Sequence, residues 1–220
     1  MPRLMEVLVA AASVMIVIAN IIAAKIITVP APIVGTLEAS AGVVPIAGVF
    51  LCTDIISERY GKKAAKRSVA TFTGLLAVSW GILQWSVMAP HAGGVPQDVY
   101  ATTIGSSTSL FFASITSVFV TQMFDVEIFE YLRRLTGGSS RWVRNIGSTA
   151  VSQLADTTLF TVLAFVVFPP FVGGSLLPWG VVGSIIAVEY AVRLSLAFLD
   201  TPIYYALTEE DTETNKNVRS

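Results

Sequence analysis

The stretch IGSTAVSQLADTTLFTVLAFVVF, residues 146–168, carries one charged side chain, Asp156, in an otherwise apolar or neutral-polar run. As a helix it extends about 35 Å, enough to cross the roughly 30 Å hydrocarbon core of a bilayer. Arg141 and Arg144 stand just before it and Pro169-Pro170 just after, so the run has a basic start and a helix-stopping end. A carboxylate in lipid costs roughly 2.5 kcal/mol or more, so Asp156 is expected to face a protein interior and to handle a ligand, an ion or a proton. The chain is therefore read as all-α: a polytopic integral membrane protein with Asp156 near its function.

Outward from this span, five more segments qualify by length and hydropathy, at 4–27, 42–58, 68–89, 108–132 and 179–207, making a bundle of six transmembrane helices. The segment 42–58 is the shortest, and Pro45 near its start predicts an irregular or partly re-entrant beginning. Charge placement gives an independent count. Arg59, Lys62, Lys63, Lys66 and Arg67 fall between spans two and three, Arg133, Arg134, Arg141 and Arg144 between four and five, and Arg3, Lys216 and Arg219 near the termini. The loops 28–41, 90–107 and 169–178 contain no Lys or Arg, and their prolines and glycines predict turns. With twelve of fourteen basic residues on one side, the positive-inside rule places both termini in the cytoplasm. The domain organisation expected is one transporter-like bundle over 1–207 and a polar, disordered cytoplasmic tail over 208–220. The first run, Leu4 to Ile27, is too long for a signal-peptide core and is expected to remain as a helix.

Composition agrees. The chain is 54% apolar and 13% charged, with a mean hydropathy of +0.71, too few charges to coat a soluble globule of 220 residues. A net charge of −1 argues against a nucleic-acid partner; membrane lipid is the expected surroundings. The single cysteine, Cys52, excludes an internal disulfide and reads as a small buried packer. The single histidine, His91, sits in a Pro/Gly loop without a second His or Cys, so no metal site is expected, and no cofactor is implied.

Besides Asp156, three acids lie inside predicted spans: Asp54, Asp125 and Glu189. Counting from the nearest basic residue, Asp156 lies roughly 18 Å deep, Asp125 about 12 Å and Asp54 about 8 Å. Asp54 can therefore serve a ligand or simply cap and snorkel. Glu189 and Arg193 are i,i+4, the spacing of an intrahelical ion pair, and either a structural lock or a ligand contact follows from it. A short echo links spans four and five: Gln122-x-x-Asp125-x-x-x-Phe129-x-x-Leu132 returns as Gln153-x-x-Asp156-x-x-x-Phe160-x-x-Leu163. Each copy sets an amide beside a carboxylate on one helix face, and transporters are often built from such repeats with the site between them. Asn20, Gln84, Gln122 and Gln153 each need a partner within the membrane. With Phe50, Trp80, Trp85, Phe124 and Phe160 they suit a planar heterocycle, whose faces stack on aromatic rings and whose edge pairs with Asp, Asn or Gln. The mechanism expected is a substrate-edge clamp, Asp156 with Gln153 opposed by Asp125 with Gln122.

Asn20 with Ala24-Lys25, Thr53-Asp54-x-x-Ser57-Glu58-x-Tyr60-Gly61-Lys62-x-Ala64, Gln122-x-x-Asp125, and Arg144-Asn145-Ile146-Gly147-Ser148 followed by Gln153-x-x-Asp156 together resemble the queuosine-precursor transporter family. The resemblance runs from span one through span five. It implies a six-span inner-membrane importer of 7-deazaguanine precursors of modified tRNA bases, chiefly 7-cyano-7-deazaguanine and its aminomethyl relative. The matching positions are Asn20, Asp54, Glu58, Gln122, Asp125, Asn145, Gln153 and Asp156. Of these, Glu58 and Asn145 stand at span ends, where gating and structural roles such as helix capping are both open.

Two other readings compete. One is the substrate-binding subunit of an ATPase-driven vitamin or nucleobase importer; no P-loop is present, so ATP would act through another subunit. The other is an intramembrane enzyme with facing carboxylates, which lacks a Gly-x-Gly-Asp or His-Glu-x-x-His element. Ala19-x-x-x-Ala23 would allow close helix docking, and small span surfaces are compatible with a homodimer.

Overall fold

Leu8, Ala12, Ile16 and Ala19 recur every three or four residues, and the first helix, α1 (Pro2–Ile22), buries that stripe while Val7, Val14, Ile18 and Ile21 stay exposed. An apolar outer face of this kind suits lipid. The same rule builds α3 (Lys62–Met88), with Ala65, Val69, Phe72 and Leu76 inward and Leu75, Val78, Ile82 and Trp85 outward. The computed structural model describes residues 2–23, 25–31, 35–105, 108–136, 141–172 and 176–208. Positions 209–220 of the expected tail lie outside the described residues, and of Asn145 only the helical backbone is described.

Between α1 and the next helix the chain forms a hairpin. β1 (Ile26–Ala31) pairs antiparallel with β2 (Gly35–Ser40), from Ile26 opposite Ser40 to Ala31 opposite Gly35. The irregular loop expected over 28–41 is thus a two-stranded ladder, and the all-α reading needs this addition. The β-branched run from Ile26 to Val29 favours extended backbone, and a two-stranded sheet, being all edge, tolerates Pro30.

α2 (Val43–Tyr60) is regular from its first turn, where the Ile46 amide donates to the Gly42 carbonyl at 3.2 Å. The irregular start expected from Pro45 does not occur, because a proline in the first helical turn removes a donor that has no intrahelical partner anyway. Gly42 has a steric role here: a Cβ would come within 2.7 Å of the Ala19 carbonyl oxygen. Ala19 itself is buried within the chain. Gly61, at φ +80°, turns α2 directly into α3, a left-handed conformation that glycine adopts freely.

α4 (Gln97–Gly105) leads into α5 (Thr108–Leu135), and α6 (Arg141–Val162) continues as a π-helical stretch, Leu163–Val167. A short turn, α7 (Pro169–Val172), precedes the last helix, α8 (Trp179–Thr208). Among the described residues, five stretches are long and apolar enough to cross a membrane: Arg3–Ile22, Lys62–Met88, Gln97–Leu135, Gly147–Val167 and Trp179–Thr208. α2 is not among them, since its eighteen residues include Asp54, Glu58 and Arg59. It packs against α1, α3, α5 and α8, so its polar groups meet protein instead of lipid.

The interior has two characters. Around α1, α2 and α3 it is an apolar core of Ile16, Val49, Phe50, Ile55, Phe72 and Leu76, among others. Along α5 and α6 the buried polar residues Ser114, Ser117, Thr121, Gln122 and Asp125 face Ser148, Thr149, Ser152, Gln153 and Asp156, while α5 also buries Phe111, Val118, Val126 and Phe129. Polar side chains inside and apolar ones outside are the pattern of a chain whose solvent is lipid.

Candidate functional site

Thr121 and Asp125 are i,i+4 on α5, while Thr149, Ser152 and Asp156 recur at three and four residues on α6, so each helix presents one polar stripe. Packed antiparallel, the stripes form a ladder. Ser152 Oγ donates to Asp125 Oδ1 at 2.6 Å, and one turn away Thr121 Oγ1 donates to Asp156 Oδ1 at 2.9 Å. A third rung reaches α2, where Thr149 Oγ1 donates to Asp54 Oδ2 at 2.8 Å. Two of the hydroxyls also lie near the carbonyl one turn back, Thr121 at 2.7 Å from Ser117 O and Ser152 at 2.8 Å from Ser148 O. A single hydroxyl proton there has two acceptors to serve.

The register separates the two echo carboxylates. Asp125 meets Ser152 and Asp156 meets Thr121, so the acids lie one turn apart along the interface, about 6 Å in axial rise, and do not oppose each other. Their neighbours differ as well. Arg193 of α8 donates to Asp156 Oδ2, and its other terminal nitrogen stands 3.7 Å from Glu189 Oε2. The intrahelical Glu189–Arg193 pair expected from spacing is present but secondary, because Asp156 takes the closer contact. Asp156, Glu189 and Arg193 border a cavity of about 40 Å3 that also touches Asn20, Ser117 and Phe160. Asn20 is buried at the end of α1, where its amide donates to Ile16 O at 2.9 Å.

Asp54 and Asp125 form a different arrangement. They lie side by side in the protein interior, each accepting a hydroxyl from α6 on one oxygen. The two carboxyls stand within hydrogen-bonding reach of each other, and the Ser148 side chain also approaches Asp125. Asp54 Oδ1 and Asp125 Oδ2 receive no donor, and among the described residues no Lys or Arg pairs with either acid. The glutamines do not bind the carboxylates of their own motifs. Gln122 is fully buried with neither amide atom partnered, and Gln153 Oε1 is likewise unpartnered. A cavity of about 10 Å3 brings Gln153 together with Asp54, Thr149, Phe50 and Asp200.

The remaining expected positions fall elsewhere. Gln84 is half-buried near the C-terminal end of α3, 3.4 Å from the Thr108 hydroxyl, away from the ladder. Glu58 is half-buried one turn beyond Asp54 on α2. Of the aromatic residues, Phe50 and Phe160 border the two cavities, Trp80 packs on Phe112 with centroids 4.8 Å apart, and Trp85 and Phe124 are exposed on the outer face. The hydroxyls Thr121, Thr149 and Ser152 were not singled out from sequence. Their signal was present in the three- and four-residue spacing from Asp125 and Asp156, but Ser and Thr are too common in membrane helices for spacing alone to select them. At the first turns of α3, Lys62 at 2.6 Å and Lys66 both bind Glu127, tying α3 to α5.

A helical bundle with an apolar outer face, a carboxylate-lined interior and an arginine buried at its centre has the construction of a membrane transporter. Residues 40–207 match the family described as "Putative vitamin uptake transporter", and the chain belongs to that family. It is also 28% identical over 172 residues to a protein of Bacillus subtilis (strain 168) named "Probable queuosine precursor transporter", an alignment covering 77% of this chain and 72% of that protein. The resemblance carried by the sequence motifs agrees with both. No solved structure matches the chain.

Proposed function

We propose that the protein imports a 7-deazaguanine base, 7-cyano-7-deazaguanine or a close relative, across the cytoplasmic membrane of a prokaryote to supply tRNA modification. It would do so by alternating access, as a six-span bundle with α2 as the short inner span and both termini in the cytoplasm. The observation that carries this reading is the buried Asp156 carboxylate, with a donor on each oxygen, beside Asn20 and Phe160 in one cavity. The edge of a 7-deazaguanine offers a ring N–H and an exocyclic amine as parallel donors and a carbonyl as acceptor. Those donors would replace Thr121 and Arg193 on Asp156, the freed guanidinium would take the carbonyl, and Phe160 would meet the ring face. Exchanging one set of donors for another keeps the buried carboxylate satisfied throughout, which limits the cost of binding. A cavity of about 40 Å3 admits little more than a water or two, so Arg193 must swing aside for a bicyclic base to enter.

Transport by the purified protein alone in vesicles would set this reading against that of an ATPase-dependent subunit. In a strain that cannot make the base but can salvage it, with no redundant carrier, deletion of the gene should stop supplied precursor from reaching tRNA; undiminished incorporation defeats the assignment. The orientation is checked by cysteine labelling. An impermeant reagent should reach Thr36→Cys and Asp98→Cys from outside and Lys63→Cys only from inside, and the reverse pattern overturns the topology.

A further inference from the structure

We infer that Asp54 and Asp125 together form a proton-binding site, separate from the Asp156 cavity, that loads one proton for each substrate molecule carried inward. The inference rests on the transport reading above and adds the coupling ion to it. Asp54 is 2% exposed and Asp125 fully buried, and they sit on different helices with no donor to Asp54 Oδ1 or Asp125 Oδ2. Desolvating a single unpaired charge in a protein interior costs several kcal/mol, and two adjacent carboxylates add their repulsion. A positive charge has to come from outside the described side chains.

Among the described side chains no neighbour supplies it. On α2 they are Cys52 and Glu58, with Arg59 at the helix end; on α8, Asp200 borders the same cavity as Asp54. On α6 the next charged group is Asp156, to which Arg193 is bound, with Glu189 beyond. On α3, Lys62 and Lys66 are held by Glu127 of α5, while Arg133 and Arg134 stand two turns from Asp125 at the cytoplasmic end of α5. The charged groups of α1, Arg3 and Glu6, are exposed near its start. The side chains of Arg141 and Arg144 lie outside the described ones.

Space selects the proton over a metal ion. The cavity beside Asp54 measures about 10 Å3, at or below what one water needs, whereas a hard metal cation wants a shell of several oxygen ligands. Among the described residues no group of three or more His, Cys, Asp or Glu could hold a metal. Gln153 points independently to a missing hydrogen: it is 1% exposed, borders that same cavity, and its Oε1 has no donor. A protonated Asp54 would bring an O–H to the cavity that Gln153 also borders. Ser152 is suited to both states. When Asp125 is charged the hydroxyl donates to it; when Asp125 is protonated the acid donates to Ser152 Oγ, which turns its own proton to Ser148 O at 2.8 Å.

The same interface links proton to substrate. Thr121–Asp156 and Ser152–Asp125 are consecutive rungs between α5 and α6, so a shift of one helix along the other disturbs both. In each cycle one proton leaves the outer water, forms an O–H on the pair, and is released to the cytoplasm; no other bond changes.

Two measurements test this. Infrared difference spectra of the purified protein between acid and alkaline pH, which need no substrate, should show the carbonyl band of a buried protonated carboxyl that Asp54→Asn and Asp125→Asn each remove. Liposomes containing the protein, with membrane potential clamped and labelled 7-cyano-7-deazaguanine as probe, should accumulate it about tenfold per pH unit of outside-acid gradient, a drive lost in both variants. Should either variant fail to fold, Ser152→Ala keeps both acids and must move the pH midpoint of the band. Counterflow without gradient drive, a band that persists in both Asn variants, or an unmoved midpoint in Ser152→Ala overturns the proton site. A band that behaves as expected without any counterflow leaves the proton site standing and removes the substrate assignment instead.

Discussion

Asp125 and Asp156 close the same Gln-x-x-Asp pattern, are buried in the same interface, and each accept a hydroxyl from the facing helix. They nevertheless end in opposite electrostatic settings. α8 brings Arg193 onto Asp156, whereas α2 brings a second carboxyl, Asp54, beside Asp125. A local motif thus sets which groups are present, and the third helix packed against it decides whether the acid is held by a cation or must share its surroundings with another acid. Under the proposals above, Asp156 would receive a ligand that substitutes for the arginine, and Asp125 would share a proton with Asp54.

The largest effect should come from breaking the Asp156 side of this contrast. Asp156→Ala leaves Arg193 buried with only Glu189 at 3.7 Å, and losing one partner of a buried pair costs about 3–5 kcal/mol. Thermal unfolding of the detergent-solubilised protein should show it, with Asp125→Asn losing about 1 kcal/mol or less because a neutral amide resembles a protonated acid. Equal losses in the two variants would erase the distinction. Next in size is Asp156→Asn, which turns one acceptor into a donor; substrate affinity should weaken about tenfold or more, corresponding to 1–3 kcal/mol, in binding measured on folded protein. Unchanged affinity would remove Asp156 from the substrate site. A smaller and opposite effect is expected from Gln122→Leu: with neither amide atom partnered, an apolar residue of similar size should leave stability unchanged or raise it by about 1 kcal/mol. A clear loss would mean that the amide serves a partner of its own. The smallest effect belongs to Glu130→Gln, whose contact is a 3.5 Å reach to the exposed Arg134 guanidinium at the helix end. Neither binding nor stability should move measurably.

Much of the candidate site was legible from depth alone. Asp156, Asp125, Asp54 and Glu189 stood out because a carboxylate inside an apolar run is costly wherever it points, and the structure buries all four. Gln84 met the same polarity criterion yet lies at the C-terminal end of α3, away from the ladder, since polarity within a span says nothing about which neighbour a helix face will meet. The hairpin was missed for a related reason: Pro30 and Pro32 signal a turn strongly, while β pairing depends on where the returning strand is placed.

By itself the sequence determined that this chain lives in lipid, where its long apolar helices run, and which acids are buried, because hydrocarbon excludes unpaired backbone and unpaired charge regardless of partners. It did not foresee α4 in the loop expected over 90–107, nor that the first helix ends at Ile22 and yields to strand at Ile26. Only the tertiary structure decided that Arg193 goes to Asp156 before Glu189, that Asp54 joins Asp125, and that Thr121, Thr149 and Ser152 are the donors holding the acids. Those choices depend on the register of α5 against α6 and on which of α2 and α8 covers each turn. Helical periodicity records a residue's own face and leaves open what will stand opposite it.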